Sequence, residues 1–201
     1  MKQLLALVMV ASAALVAPAA AQVPPSAFDY DREFATIARE SLWQSAFDSG
    51  VSLEDVRPVS VRCYRDKDSF ESAFERRAGP SAKRVVAYYA GGRDLHLRNG
   101  TCANIRLFFL GRHTVFTAAA YSILLHETLH RQGLVSERFT TCFANESVRW
   151  GALWFGFSDA EALRARNLAL AYTKRYAPPD YRMSKPNCLA MARSTDWVEL
   201  I

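Results

Sequence analysis

The stretch "VFTAAAYSILLHETLHRQG", residues 115 to 133, constrains the fold of this chain more than any other. Small and apolar residues fill nearly every position before His126, without the alternation of a half-buried strand. Gly133 stands where a helix can reverse out of its last turn. The segment is therefore expected as a helix over 115–132, buried on most sides. Such a helix cannot end in His126, Glu127 and His130 without cost, because buried polar groups need partners. The rest of the chain has to supply them.

His126, Glu127 and His130 spell HExxH. Residues at i and i+4 share a helix face, with Cβ atoms roughly 6 Å apart. Both imidazoles can then put a ring nitrogen about 2.0 Å from one zinc ion. Glu127, one step round the helix, points beside that position and can take a proton from a zinc-activated water, whose pKa falls to about 7. Three fixed positions also arise by chance on solvated helices. Here the apolar approach, a hairpin before the motif and an acid-opened helix after it argue against chance. A catalytic zinc needs three protein ligands, and HExxH provides two. Gly133 suits the HExxHxxGxxH spacing, but the position of its final ligand is Ser136, a poor zinc ligand. The remaining candidates are Glu137, at the start of the next expected helix, and Glu146, about 13 Å further along it at 1.5 Å per residue. Both cannot hold one ion. A chain that reverses at Gly133 and re-enters a helix at Ser136 favours Glu137. Thr141, four residues on, can hydrogen-bond a histidine ligand. His96 and His113 each stand alone and read as structural.

The flanking segments give the order of elements. Phe34, Ala38, Leu42 and Ala46 recur at spacing four, so 28–49 reads as an amphipathic helix stopped by Gly50. "VSVRCYRD" alternates and reads as a strand ending near Asp66, followed by a charged helix, "DSFESAFERRAG". "RVVAYYA", "GGR" and "DLHLR" form a hairpin signal directly before the HExxH helix. Beyond it, Ser136 can cap a helix carrying Phe139, Phe143 and Trp150 on a common side. Ser158 and Glu161 have capping-box spacing and open another helix, which stops at Pro178–Pro179.

Residues 1–21 combine Lys2, a short Ala-rich apolar run and Ala19-Ala20-Ala21, the pattern of a cleaved signal peptide rather than a membrane anchor. Residues 22–201 are then expected as one domain, secreted or periplasmic. In an oxidising compartment four cysteines favour two disulfides. Cys102 with Cys142 would lock the elements around the HExxH helix, leaving Cys63 with Cys188. The formal charge of +5 is scattered rather than clustered, which argues against a nucleic-acid partner.

"HETLHRQGLVSERFTTCFA", with the hairpin and Cys102 before it, resembles small exported bacterial HExxH zinc metallopeptidases, gluzincin-like members of the zincin superfamily. The resemblance covers residues 84 to 145. It implies His126, His130 and Glu137 as metal ligands, Glu127 as general base and Zn2+ as cofactor. This chain departs from the family pattern at Ser136, where Asp is usual, and at Thr141, where an acid or amide is common. The fold expected is α+β and zincin-like: a small sheet with a β-hairpin packed on the HExxH helix, and further helices N- and C-terminal. The function expected is hydrolysis of a peptide or protein substrate, with no membrane span after signal cleavage. A different class of reading is a non-catalytic zincin-like module that binds a peptide or cell-wall component. An oxyanion donor is also expected, with Tyr172, Tyr176 and Tyr181 as candidates by type only, since core packing is the commoner role of such residues.

Overall fold

The computed structural model describes residues 27–46, 56–78, 85–182 and 184. Within them the chain runs β1 (Phe28–Asp31), α1 (Arg32–Ala46), β2 (Ser60–Tyr64), α2 (Lys67–Ala78), β3 (Ala87–Tyr89), β4 (Asp94–Leu97), α3 (Asn99–Phe109), α4 (Val115–Gln132), α5 (Glu137–Trp154) and α6 (Asp159–Tyr176). A 3₁₀ turn, Pro179–Tyr181, follows α6. The fold is α+β, with six helices and one mixed sheet of four strands among the described residues. The strand order is β1-β2-β4-β3, with β2 and β4 parallel and the outer pairings antiparallel.

Alternation along the strands divides the core between the two faces of the sheet. Val61, Cys63, Ala87, Leu95 and Leu97 face the main core with the large helices. Tyr64 and Tyr88 turn the other way and pack with Phe28, Phe70 and Ala73, a smaller cluster under α2. His96 lies on this second face, where its Nδ1 meets the Tyr64 hydroxyl at 2.9 Å and its ring stacks on Tyr88 with centroids 4.4 Å apart. This histidine is structural, as the sequence suggested.

Helix α4 is the centre of the molecule, in contact with α1, α3, α5, α6, β3 and β4. Its bounds match the expected 115–132. Thr114 and Thr117 cap it reciprocally through side chains and backbone. Gly133 ends it with φ 111°, a left-handed conformation that costs glycine little. The hairpin β3–β4 turns through Gly91 and Gly92, both at positive φ. Ser158 and Glu161 form the expected capping box, and α6 ends just before Pro178. No helix of the described residues is long and apolar enough to cross a membrane.

Several expectations are corrected. Residues 28–31 form a strand, because the Asp31 carboxylate accepts the Phe34 N–H at 3.0 Å and starts the helix only at Arg32. The hairpin strands are joined by a parallel partner, β2, which brings Cys63 beside the first turn of α3. The disulfide there is Cys63–Cys102, which overturns both expected pairings. Cys142 is also disulfide-bonded, whereas Cys188 lies outside the described residues. Helix α3 had no sequence counterpart. Ser136 occupies the N-cap of α5 but makes no side-chain capping bond. On α5, Phe143 is buried while Phe139 is 36% exposed, so the two do not share a packed face. The expected signal peptide and the tail after Ser184 lie outside the described residues.

Gly151 of α5 is where three helices come closest. The Ser41 hydroxyl of α1 and the Tyr121 hydroxyl of α4 meet 2.5 Å apart beneath it, both fully buried. A Cβ at Gly151 would overlap the Tyr121 hydroxyl and lie 2.5 Å from Ser41 Oγ. Alanine favours a helix over glycine by about 1 kcal/mol, yet overpacking of a tight core costs about 1–3 kcal/mol. Gly151→Ala is expected to lower stability by about 1–2 kcal/mol in urea unfolding. Gly100→Ala, with nothing within 4 Å of its added Cβ, is expected to be neutral or slightly stabilising.

Candidate metal centre

Helices α4 and α5 run back to back after the Gly133 reversal and face each other with polar residues at matching intervals. Helix α4 offers Ser122, His126 and His130, each one turn from the next. Helix α5 offers Glu137, Thr141 and Asn145 at the same spacing. The two rows meet as a ladder. His126 Nε2 lies 3.0 Å and His130 Nε2 lies 3.3 Å from Glu137 Oε2. Thr141 Oγ1 lies 3.1 Å from His126 Nδ1, and Ser122 Oγ donates to Asn145 Oδ1 at 2.9 Å.

The far side of His130 is fixed by the turn itself. After Gly133 the Leu134 N–H returns to the Leu129 carbonyl, and this carries the Leu134 carbonyl back over the helix end. There it accepts the His130 Nδ1–H at 2.6 Å. That bond puts the proton on Nδ1 and leaves Nε2 with its lone pair facing inward. With Thr141 accepting from His126 Nδ1–H, the two Nε2 atoms confront each other at 2.9 Å. Two lone pairs and a carboxylate oxygen so close together repel unless a cation or proton lies between them.

The donor set fits a divalent metal. His126, His130 and Glu137 place their ligand atoms within 4.8 Å of one another and could hold a metal ion. Two imidazoles and a carboxylate are a usual zinc set, and tetrahedral bonds of about 2.0–2.1 Å put ligand atoms about 3.3 Å apart. The residues converge closely enough for that geometry with small side-chain adjustments.

The electrostatics agree. Burial pushes the Glu137 carboxyl up, but the adjacent His126 and His130 imidazoles, when protonated, outweigh it and hold the group far below the usual carboxylate range. Burial opposes protonation of His130, while the Glu137 carboxylate and the Leu134 carbonyl more than compensate and raise its pKa. Glu127 is buried, and desolvation raises its pKa despite the neighbouring histidines.

Glu127 sits between the triad and the sheet edge. Among the described residues strand β3 pairs on one side only, with β4. Val86 accepts from Arg98 N–H and Tyr88 opposes His96, so alternation turns the Ala87 and Tyr89 backbone groups outward. The Tyr89 N–H faces the Glu127 carboxylate. Val85, Val86 and Ala87 form one wall of a cavity of about 300 Å³ that also contains His126 and Glu127.

Tyr181, offered by the sequence only as one tyrosine of three, comes to the site. Its ring stacks on His126 with centroids 5.7 Å apart and an interplanar angle of 18°. Burial and the adjacent Glu137 carboxylate push its hydroxyl up to about 12, so it stays a proton donor at neutral pH. Tyr172 and Tyr176 line the same cavity further from the histidines. Glu146 is excluded from the centre, because the Arg166 guanidinium holds its carboxylate with contacts of 2.7 and 2.9 Å. His113 packs between Phe108 and Phe157, away from the ladder. The spacing of Ser122 and Asn145 was a readable signal, since it continues the rows that carry the histidines and Glu137.

No family model, curated protein or solved structure matches the chain.

The two acids can be separated by experiment. Glu137→Gln is expected to lower zinc affinity by more than the roughly 10–100-fold typical of outer partners, measured by competition with a chelating dye. Glu146→Gln is expected to leave affinity within a few fold but to destabilise the fold by about 3–5 kcal/mol, because it strands the buried Arg166 charge. A metal loss confined to Glu146→Gln would reverse the assignment.

Proposed function

We propose that this chain is an exported zinc-dependent hydrolase of peptide bonds, with His126, His130 and Glu137 as ligands and Glu127 as general base. The observation that carries the reading is the position of Glu127, buried between three convergent metal-ligand atoms and the outer edge that β3 forms among the described residues. A structural metal site would not need an ionisable, desolvated carboxyl beside it, nor a cavity in front of it.

When bound, zinc supplies Lewis acidity, which lowers the pKa of water towards 7 and polarises a carbonyl. The chain's own groups do the rest. The outward Ala87 N–H and C=O can pair with an extended peptide as an added strand, fixing the scissile bond over α4. Glu127 takes a proton from water as its oxygen attacks the carbonyl carbon. The same proton passes to the amide nitrogen as the C–N bond breaks, giving an amine and a carboxylic acid, which then loses the second water proton. A raised pKa suits both halves of this transfer. The Tyr181 hydroxyl donates towards the negative charge that develops on the carbonyl oxygen.

Export is supported by the signal-like residues 1–21 and by the Cys63–Cys102 disulfide.

Purification without added zinc followed by metal analysis and digestion of an unfolded protein tests the reading. Wild type is expected to carry about one zinc and to cleave. Glu127→Gln is expected to keep the metal and lose turnover by at least about a thousandfold. His126→Ala is expected to lose both. Near-wild-type cleavage by Glu127→Gln would remove this residue from the mechanism. Full metal binding with no cleavage by wild type would favour the binding-module reading.

A further inference from the structure

The cavity beside Glu127 is not uniform. Its walls are aromatic and aliphatic: Tyr172 and Tyr176 from α6, Ala119 and Ile123 from α4. Its base is polar and already wired. Ser122 Oγ–H donates to Asn145 Oδ1 at 2.9 Å, and Asn145 Nδ2–H donates to Thr173 Oγ1 at 3.2 Å. Asn145 is 1% exposed and Ser122 is 7% exposed, so this end of the chain of bonds is buried, while Thr173 at its other end is half-buried.

The direction of the chain decides what it leaves for a ligand. Each hydroxyl has one proton and two lone pairs. Ser122 spends its proton on Asn145 and retains an acceptor oxygen. Thr173 accepts from Asn145 and retains its proton. Asn145 has a second N–H. The base therefore offers both donors and an acceptor, and among the described residues the one carboxylate lining the cavity is Glu127, which the proposed reaction itself uses. A volume of about 300 Å³ is at the small end of ligand cavities, room for one side chain rather than a cofactor.

We propose that this cavity is a side-chain subsite selecting a neutral residue with an apolar body and a hydroxyl end, tyrosine above phenylalanine, with Asn145 and Thr173 as the specificity-determining residues. The proposal deepens the hydrolase reading and rests on it for the word substrate, but the recognition is a binding property. Tyrosine buries its ring against Tyr172 and Ile123, and its hydroxyl exchanges water for the Thr173 and Asn145 donors. Phenylalanine gains the same burial and leaves the buried Asn145 amide and the half-buried Thr173 hydroxyl without that partner, a penalty that discriminates between such pairs. A lysine ammonium would lose its hydration at a base that holds only neutral groups, and would compete for Glu127 elsewhere in the cavity.

The test uses three synthetic peptides of one Gly-Ser frame with a single central Tyr, Phe or Lys. Binding is measured by calorimetry to the zinc-loaded full chain carrying Glu127→Gln, and cleavage is measured with wild type. The Tyr peptide is expected to bind at least about tenfold more tightly than the Phe peptide, and the Lys peptide not detectably. Thr173→Val, close in shape to threonine, is expected to bring the Tyr and Phe affinities within about twofold. Equal binding of Tyr and Phe, preference for Lys, no binding of any peptide, or unchanged discrimination in Thr173→Val would each overturn the subsite. Discrimination without any cleavage by wild type would keep the subsite and reject the hydrolase. Cleavage of all three at equal rates would do the reverse.

Discussion

Three acceptor atoms brought within 3.3 Å of one another govern this structure. Left alone, two imidazole lone pairs and a carboxylate would push α4 and α5 apart where the helices are joined only by the short turn through Gly133 and Ser136. The chain meets that repulsion from outside. Leu134 and Thr141 hold the Nδ1 atoms, and Ser122 and Asn145 close the ladder two turns away. Below them the apolar length of α4 is locked among α1, α3, α5 and α6. These contacts are between protein atoms alone, and they would orient the three ligand atoms for a metal ion.

How much of this was legible follows from the range over which each interaction acts. The α4 helix could be read to its ends because an apolar run and a glycine reversal are local signals. Glu137 and Thr141 could be read for the same reason, since a short turn lets helical spacing place them opposite His126 and His130. The disulfide could not. Cys63 meets Cys102 only because β2 inserts parallel to β4, a crossover pairing that leaves no mark in either strand. Strand β1 was hidden for a related reason: it runs straight into α1 without a break, and one side-chain bond from Asp31 decides where strand gives way to helix. Tyr181 was beyond reach as well, because residues after α6 are directed by the tilt of that helix rather than by their own pattern.

That tilt gives Glu146 a role other than the one its residue type suggested. Its carboxylate and the Arg166 guanidinium form a buried fork between α5 and α6. Buried charge pairs contribute little net stability, since desolvation offsets the attraction, but breaking one is costly and their geometry is exacting. Such a pair fixes one position of α6 along α5 more sharply than apolar packing would. Helix α6 carries Tyr172, Thr173 and Tyr176 on the cavity side and hands the chain to Tyr181 through two prolines. The register of α6 therefore sets the aromatic wall, one end of the polar base and the hydroxyl that stands over His126. Of the two acids on α5, Glu137 enters the centre directly. Glu146, which could be mistaken for a ligand on sequence grounds, acts one helix away by determining where the opposite side of the cleft stands.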